Sequence, residues 1–228
     1  MKITDIAAQK KRERFNIFLD GEFAFGVSAE LRFTKKLEVG QNLTQKEIES
    51  VVEADQIERL FNKALKFLSY RPRSEREIRD YLLRKGKLRD VEKSAAEKSQ
   101  YEGSIERIIK KLKSIGQIDD MEFAKWWVEQ RGKFRPRGQR LVKLELLQKG
   151  VDKEIIEEVT DSEEGKEGLE RVGEEELAFK VASKKLLNYK NLSKEEFRMK
   201  MGQYLARRGF SWDVIKKVVD SLIGKRVE

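Results

Sequence analysis

One seventeen-residue pattern occurs twice and limits what this chain can fold into. Residues Tyr70 to Gly86 read YRPRSEREIRDYLLRKG, and Phe134 to Gly150 read FRPRGQRLVKLELLQKG. Both open aromatic-Arg-Pro-Arg and close Leu-Leu-x-Lys-Gly, with fourteen positions from proline to glycine in each (72 to 86, 136 to 150). The chain has only two prolines, and each heads one copy, so the similarity reads as an internal duplication. Proline fixes its own φ and biases the residue before it toward an extended backbone, so Arg71-Pro72 and Arg135-Pro136 each end one helix and set up another. Ser74 with Glu77 has the spacing of a capping box, which predicts a helix running to about Lys85. Gly86 and Gly150 stand where a left-handed C-terminal cap is wanted. In the second copy Leu141, Leu144 and Leu147, or Val142 with Leu146, recur at helical spacing. The basic residues fall mainly elsewhere, which gives an amphipathic helix with a positive outer face.

A third, diverged copy lies near the C-terminus. Tyr189 opens it, Ser193 and Glu196 repeat the capping box, and Tyr204-Leu205-Ala206-Arg207-Arg208-Gly209 matches the earlier endings. The proline is missing and the span is longer, yet the order of signals is kept.

Residues 1 to 27 follow a different rule. Phe15, Ile17 and Leu19 alternate with polar neighbours, Asp20-Gly21 is a type I′ turn signal, and Phe23, Phe25 and Val27 alternate beyond it. With a third run at Ile3 to Ala8, this predicts a small antiparallel sheet that must pack on the first helices to be stable. The cluster Lys10-Lys11-Arg12-Arg14 reads equally well as a solvated turn or a binding patch. Beyond Ser28 the pattern is helical. It predicts a short helix over about Ala29 to Lys35 and one from Thr44, boxed with Glu47, to about Ala54. A separate stripe of Ile57, Leu60, Phe61, Ala64, Leu65 and Leu68 follows.

These signals divide the chain into an N-terminal region, 1–54, a first three-helix repeat, 55–117, and a second, 118–160. An acidic linker, 161–174, leads to a third repeat, 175–228. The first repeat carries a polar insertion at 87–103, and residues 161–176 hold eight acidic and two basic side chains. Asp119 is the expected N-cap of the second unit. The fold class is therefore mainly α: tandem three-helix repeats in an elongated curved array, with a small N-terminal β-hairpin sheet.

Composition narrows the chemistry. Charged residues make up 40% of the chain, and there is neither histidine nor cysteine. Thiol or imidazole catalysis and Cys/His metal sites are thereby removed. Gly224-Lys225 lacks the rest of a phosphate-binding loop, so the reading is non-enzymatic, with no catalytic residues, no metal and no cofactor. No apolar run approaches the length of a membrane span and Met1 opens no signal-peptide pattern, so a cytoplasmic protein without a membrane partner is expected. The net charge of +9 favours a polyanionic partner or an acidic protein surface.

Tyr70-Arg71-Pro72-Arg73-Ser74-Glu75-Arg76-Glu77, Leu82-Leu83-Arg84-Lys85-Gly86, and Gly116-Gln117-Ile118-Asp119-Asp120 leading into Phe123-Ala124 resemble the RecX family of bacterial recombination regulators. The resemblance covers about residues 57 to 222, and the N-terminal hairpin is similar to an extension found in some members. It implies a monomer that binds the RecA recombinase filament on single-stranded DNA, with contact to duplex DNA as a further expectation. It also implies inhibition of recombinase and ATPase activity, and so regulation of recombination, DNA repair and the SOS response.

The residues expected to make the contact are Arg71, Arg73, Arg76, Arg79 and Arg84 in the first repeat, and Arg135, Arg137, Arg140, Lys143 and Lys149 in the second. From 131 to 150 there are seven basic residues and one acidic, which singles out the second repeat. Taken one at a time these are ordinary solvated cations; as a cluster they point to binding. Tyr70 and Phe134 read as core plugs in preference to base-stacking platforms, and Trp126, Trp127 and Trp212 as packing. The alternative function is a helix-turn-helix-like regulator that binds DNA without a recombinase.

Overall fold

Asp20 and Gly21 both adopt positive φ, 50° and 94°, and so turn the chain back on itself after its second strand. In this computed structural model, which describes residues 1–10, 13–87, 94–161 and 173–227, three strands form an antiparallel sheet in sequence order. They are β1 (Ile3–Ala8), β2 (Arg14–Leu19) and β3 (Glu22–Ser28). Ile17 pairs with Ile6 on one side and Phe25 on the other. Ile3, Ile17, Leu19, Phe25 and Val27 form a dry face closed by Leu37, Leu43, Ile48 and Val51. The alternation in the sequence is what puts them there.

The helices are α1 (Ala29–Thr34), α2 (Gln45–Leu68), α3 (Glu75–Lys87), α4 (Ala95–Ser114), α5 (Asp120–Phe134), α6 (Gln139–Gln148) and α7 (Lys153–Asp161). After the acidic stretch come α8 (Glu174–Ser183), a 3-10 turn at Leu186–Tyr189, α9 (Lys194–Ala206) and α10 (Trp212–Val227). Thr44 and Ser193 carry complete capping boxes, and Asp119 accepts from the amides of Met121 and Glu122.

The described chain divides into two units, one of residues 1–70 and 81–114, the other of 71–80 and 115–228. The first holds the sheet, α1, α2 and α4, where Leu60, Ala64, Leu82, Ile105, Ile108, Ile109 and Leu112 are buried. The second has two cores. One gathers Phe123, Ala124, Val128, Val142, Leu146, Val151, Ile156 and Val159 from α5 to α7. The other gathers Leu177, Phe197, Met201, Leu205, Ile215 and neighbours from α8 to α10. Each of these bundles is one three-helix repeat.

Several expectations need correction. The two helices foreseen between Thr44 and Leu68 are one, of 24 residues. No glycine or proline interrupts it, and Asp55, next to the expected boundary at Ala54, is buried in mid-helix. There its carboxylate accepts from Arg14 (2.7 Å) and from the Ser28 amide (3.2 Å), fastening the sheet to α2. Arg14 of the N-terminal basic cluster thus has a structural partner, while Lys11 and Arg12 lie outside the described residues. Gly86 lies within α3 and does not end it, unlike Gly150. The insertion is in part a helical extension, since α4 begins at Ala95; its 88–93 stretch and most of the acidic linker, 162–172, lie outside the described residues. Trp212, read as packing, is 71% exposed.

Candidate partner-binding surface

The duplicated motif has a structural purpose visible in backbone hydrogen bonds. Ser74, the N-cap of α3, donates its hydroxyl to the Lys149 carbonyl at 2.6 Å, immediately before the left-handed Gly150. The next residue, Glu75, donates its amide to the Asp120 carboxylate at the start of α5 (2.8 Å). Sixty-four positions later the arrangement recurs. Gly138, the N-cap of α6, donates its amide to the Arg208 carbonyl (2.9 Å), immediately before the left-handed Gly209. Gln139 donates its amide to the Glu174 carboxylate at the start of α8 (3.1 Å). Each helix N-terminus has free amides and a partial positive charge, and the following repeat supplies a carbonyl and a carboxylate to meet them. The glycine that closes the second helix of one repeat is the socket for the N-terminus of the second helix of the repeat before.

This geometry accounts for two residue choices. A Cβ on Gly138 would lie 2.1 Å from the Gly209 carbonyl oxygen, so the serine of the first copy cannot be kept in the second. A Cβ on Gly150 would meet Arg76, and one on Gly209 would meet Leu141 at 2.4 Å. Ser193 closes its capping box locally with Glu196.

Around the first junction the cations are organised by two carboxylates and two indoles. Arg71 grips Glu77 with both terminal nitrogens (2.9 and 3.0 Å), and Lys149 reaches the same carboxylate at 2.6 Å. Glu145 binds the Trp127 indole N–H (2.9 Å), Arg131 (2.6 Å) and Arg137. The Trp127 ring lies under the Lys149 ammonium at 4.2 Å and the Arg131 guanidinium at 4.3 Å, and Arg71 sits 5.7 Å from the Trp126 ring centre. Four cations (Arg71, Arg131, Arg137, Lys149) minus two carboxylates (Glu77, Glu145) leaves this cluster two positive charges in excess. Burial raises the Glu77 pKa, but the hydrogen bonds and charges of Arg71 and Lys149 outweigh it and hold the carboxyl below its usual range. Burial, together with the Arg71 charge, lowers the pKa of Arg73.

The ten cations singled out in the sequence are therefore not equivalent. Arg71, Arg137 and Lys149 are partly covered and ion-paired, Arg79 is paired with Glu75 (2.7 Å), and exposed Arg76 faces Asp80 at 3.9 Å. Arg73 and Lys143 are half-buried, and Arg84 is exposed. Arg135 and Arg140 are exposed, with no carboxylate partner among the described residues. Tyr70 and Phe134 are not core plugs: they are 71% and 73% exposed, because each proline turn carries its aromatic outward. Trp126 and Trp127 are half-buried against the α5–α7 core, as packing requires.

Sequence reasoning missed three cations of the second junction, Lys184, Arg207 and Arg208, which share a cleft with Arg135 and Arg137. The available signal was the alignment of Arg207-Arg208-Gly209 with Arg84-Lys85-Gly86, used for the repeat but not for its charges. Among the described residues no group of acidic side chains could hold a metal, and no helix is long and apolar enough to cross a membrane.

With this geometry in hand, comparison with known proteins is informative. Sequence profiles of the RecX regulatory protein match four segments: its N-terminal domain at 1–44 and its first, second and third three-helix domains at 61–91, 119–159 and 173–219. A relative from Listeria welshimeri called regulatory protein RecX is 36% identical over 217 residues, which is 95% of this chain and 74% of that protein. The chain belongs to the RecX family. A Bacillus licheniformis RecX is 37% identical over 93% of this chain and 74% of its own. A crystal structure of a regulatory protein RecX matches with a TM-score of 0.65 at 30% identity, covering 96% of this chain and 98% of that one. RecX from Lactobacillus salivarius matches with a TM-score of 0.54 at 28% identity, covering 74% and 97%. The family's three-helix domains coincide with the bundles built on α5–α7 and α8–α10.

Proposed function

We propose that this protein binds the RecA recombinase filament on single-stranded DNA and lowers its ATPase and strand-exchange activity, acting by binding and without catalysis of its own. The observation that carries this reading is the first junction. Its four cations are held in place by Glu77 and Glu145 and exceed them by two, and Arg135 and Arg140 on the same repeat are exposed with no carboxylate partner among the described residues. Membership of a family of regulatory proteins and the absence of a Cys or His nucleophile point the same way. Docked repeats give a partner several contact points on one chain, and individually weak contacts then combine through avidity. The contact residues are Arg71, Arg73, Arg76, Arg79 and Arg84 with Arg135, Arg137, Arg140, Lys143 and Lys149; the exposed Arg135 and Arg140 contribute most.

The test is recombinase-catalysed ATP hydrolysis on single-stranded DNA, titrated with the wild type and with Arg135→Glu/Arg140→Glu. Arg137 is left intact because Glu145 holds it. The wild type should inhibit, and the variant should need roughly tenfold more protein for the same inhibition, about 1.4 kcal/mol of binding. Unaltered hydrolysis with the wild type, together with tight sequence-specific DNA binding in the absence of recombinase, would replace this reading with that of a DNA-binding regulator.

A further inference from the structure

The second junction carries a cleft of about 510 Å3 lined largely by basic side chains. The Phe134–Arg137 turn forms one wall, and α8 with the end of α9 forms the other. Among the described residues five cations line it, Arg135, Arg137, Lys184, Arg207 and Arg208, and no carboxylate does. Arg137 is tied to Glu145, and Arg208 lies over the Tyr204 ring at 5.0 Å. Arg135, Lys184 and Arg207 are exposed and have no carboxylate partner among the described residues. Three neighbouring cations with no carboxylate partner among the described residues form a local site of positive potential.

The walls are fixed before any ligand arrives. The Gly138 amide is bonded to the Arg208 carbonyl, and the Gly138 backbone lies too close to Gly209 to admit a side chain, so turn and helix end cannot slide apart independently. At the rim stands Phe134, 73% exposed, with Arg135 next to it in the chain. An exposed ring beside unpaired cations suits a ligand that carries both flat apolar faces and regularly spaced negative charges. An acidic peptide uses the cations but gives the ring nothing to do. A duplex presents phosphates but keeps its bases stacked inside, out of reach of Phe134.

We propose that this cleft is a binding site for single-stranded nucleic acid, with phosphates on Arg135, Lys184 and Arg207 and one base stacked on Phe134. The proposal deepens the filament reading by assigning the strand, not the recombinase, to the second junction, and it is tested with no recombinase present.

The experiment is fluorescence anisotropy of a labelled oligo(dT) with the intact protein at several salt concentrations. With three phosphate contacts, log K should fall with log salt at a slope of about −2. Arg135→Glu/Arg207→Glu should weaken binding at least tenfold and bring the slope near −0.7. Phe134→Ala should weaken binding roughly fivefold or more with the slope unchanged, and Phe134→Tyr should restore it. Lys46→Glu/Lys66→Glu, the same charge change at exposed positions elsewhere, should bind within twofold of wild type once the salt-screened net-charge effect is removed. Circular dichroism confirms that each variant is folded.

No oligo(dT) binding by the wild type at low salt, or equal binding by the double variant, overturns the assignment. Poly-glutamate competing as well as oligo(dT), with Phe134→Ala neutral, makes the cleft an acidic-peptide site. Duplex binding as tight as single strand makes it a backbone-only contact. Each result is independent of whether the protein inhibits a recombinase, so failure here and failure of the filament reading are told apart.

Discussion

The two repeat junctions share a backbone plan and differ in how they treat charge. At both, a helix N-terminus is received by the carbonyl before a left-handed glycine and by a carboxylate opening the next repeat's first helix. At the first, Glu77 and Glu145 bind four cations and the indole rings cover them. At the second, the position matching Glu77 is Leu141, and the surrounding arginines and lysine face a cleft lined by no acid among the described residues. Repetition of a docking geometry therefore fixes where the cations stand, and the carboxylates of Glu77 and Glu145 set which of them are ion-paired within the chain. An ion pair half-buried against aromatic rings is rigid and expensive to break, whereas exposed cations are available and contribute little to folding.

Substitutions at equivalent positions separate these contributions. The largest effect should come from Gly138→Ala, where the new methyl meets backbone at 2.1 Å and neither side can yield; urea unfolding should show a loss of about 3 kcal/mol. Gly150→Ala is its counterpart at the first junction. There the obstruction is side chain and not backbone, Arg76 Cδ at 2.3 Å and Cβ at 2.6 Å, and the positive φ adds strain, so the expected cost is somewhat smaller, about 2 kcal/mol. Equal losses would mean that the two junctions are not mechanically alike. Glu77→Gln should cost about 2 kcal/mol near neutral pH by leaving Arg71 and Lys149 without their carboxylate.

The pH dependence of that last variant has a definite sign. The folded pKa of Glu77 is depressed, so its stabilisation is present above the unfolded value near 4.3 and is lost as pH falls through the folded one. The gap between wild type and Glu77→Gln should accordingly be constant from pH 7 to about 5 and close in more acidic solution. Thermal melts across that range measure it. Smallest of all, Arg140→Ala should leave stability within about 0.5 kcal/mol, since the side chain is exposed and has no carboxylate partner among the described residues, while still weakening inhibition in the ATPase titration.

Much of this arrangement was legible in the residues. The strand alternation and the Asp20-Gly21 turn placed the sheet, and the boxes at Thr44 and Ser193 placed helix starts to the residue. The duplicated motif announced the repeats. What was misread follows from long-range partners. The helix end expected near Ala54 is absent, and the neighbouring Asp55 is held in mid-helix by Arg14 and Ser28, 41 and 27 positions away. Ser74 looked like half of a closed capping box. Its hydroxyl does meet the Glu77 amide (3.2 Å), but the Glu77 side chain turns instead to Arg71 and Lys149, the latter 72 positions off. Tyr70 and Phe134 looked like plugs because an aromatic before a proline turn usually faces inward, and only the direction in which each turn leaves its bundle reverses that.

The sequence by itself determined the element types, the number of repeats and the family, because periodicity, caps and turn residues act over a few positions and survive in any context. Tertiary structure alone decided which cations are held by carboxylates and which stand free, since that depends on side chains brought together from different repeats. Local propensity sets where helices begin and end; only docking sets which of their charges remain uncompensated.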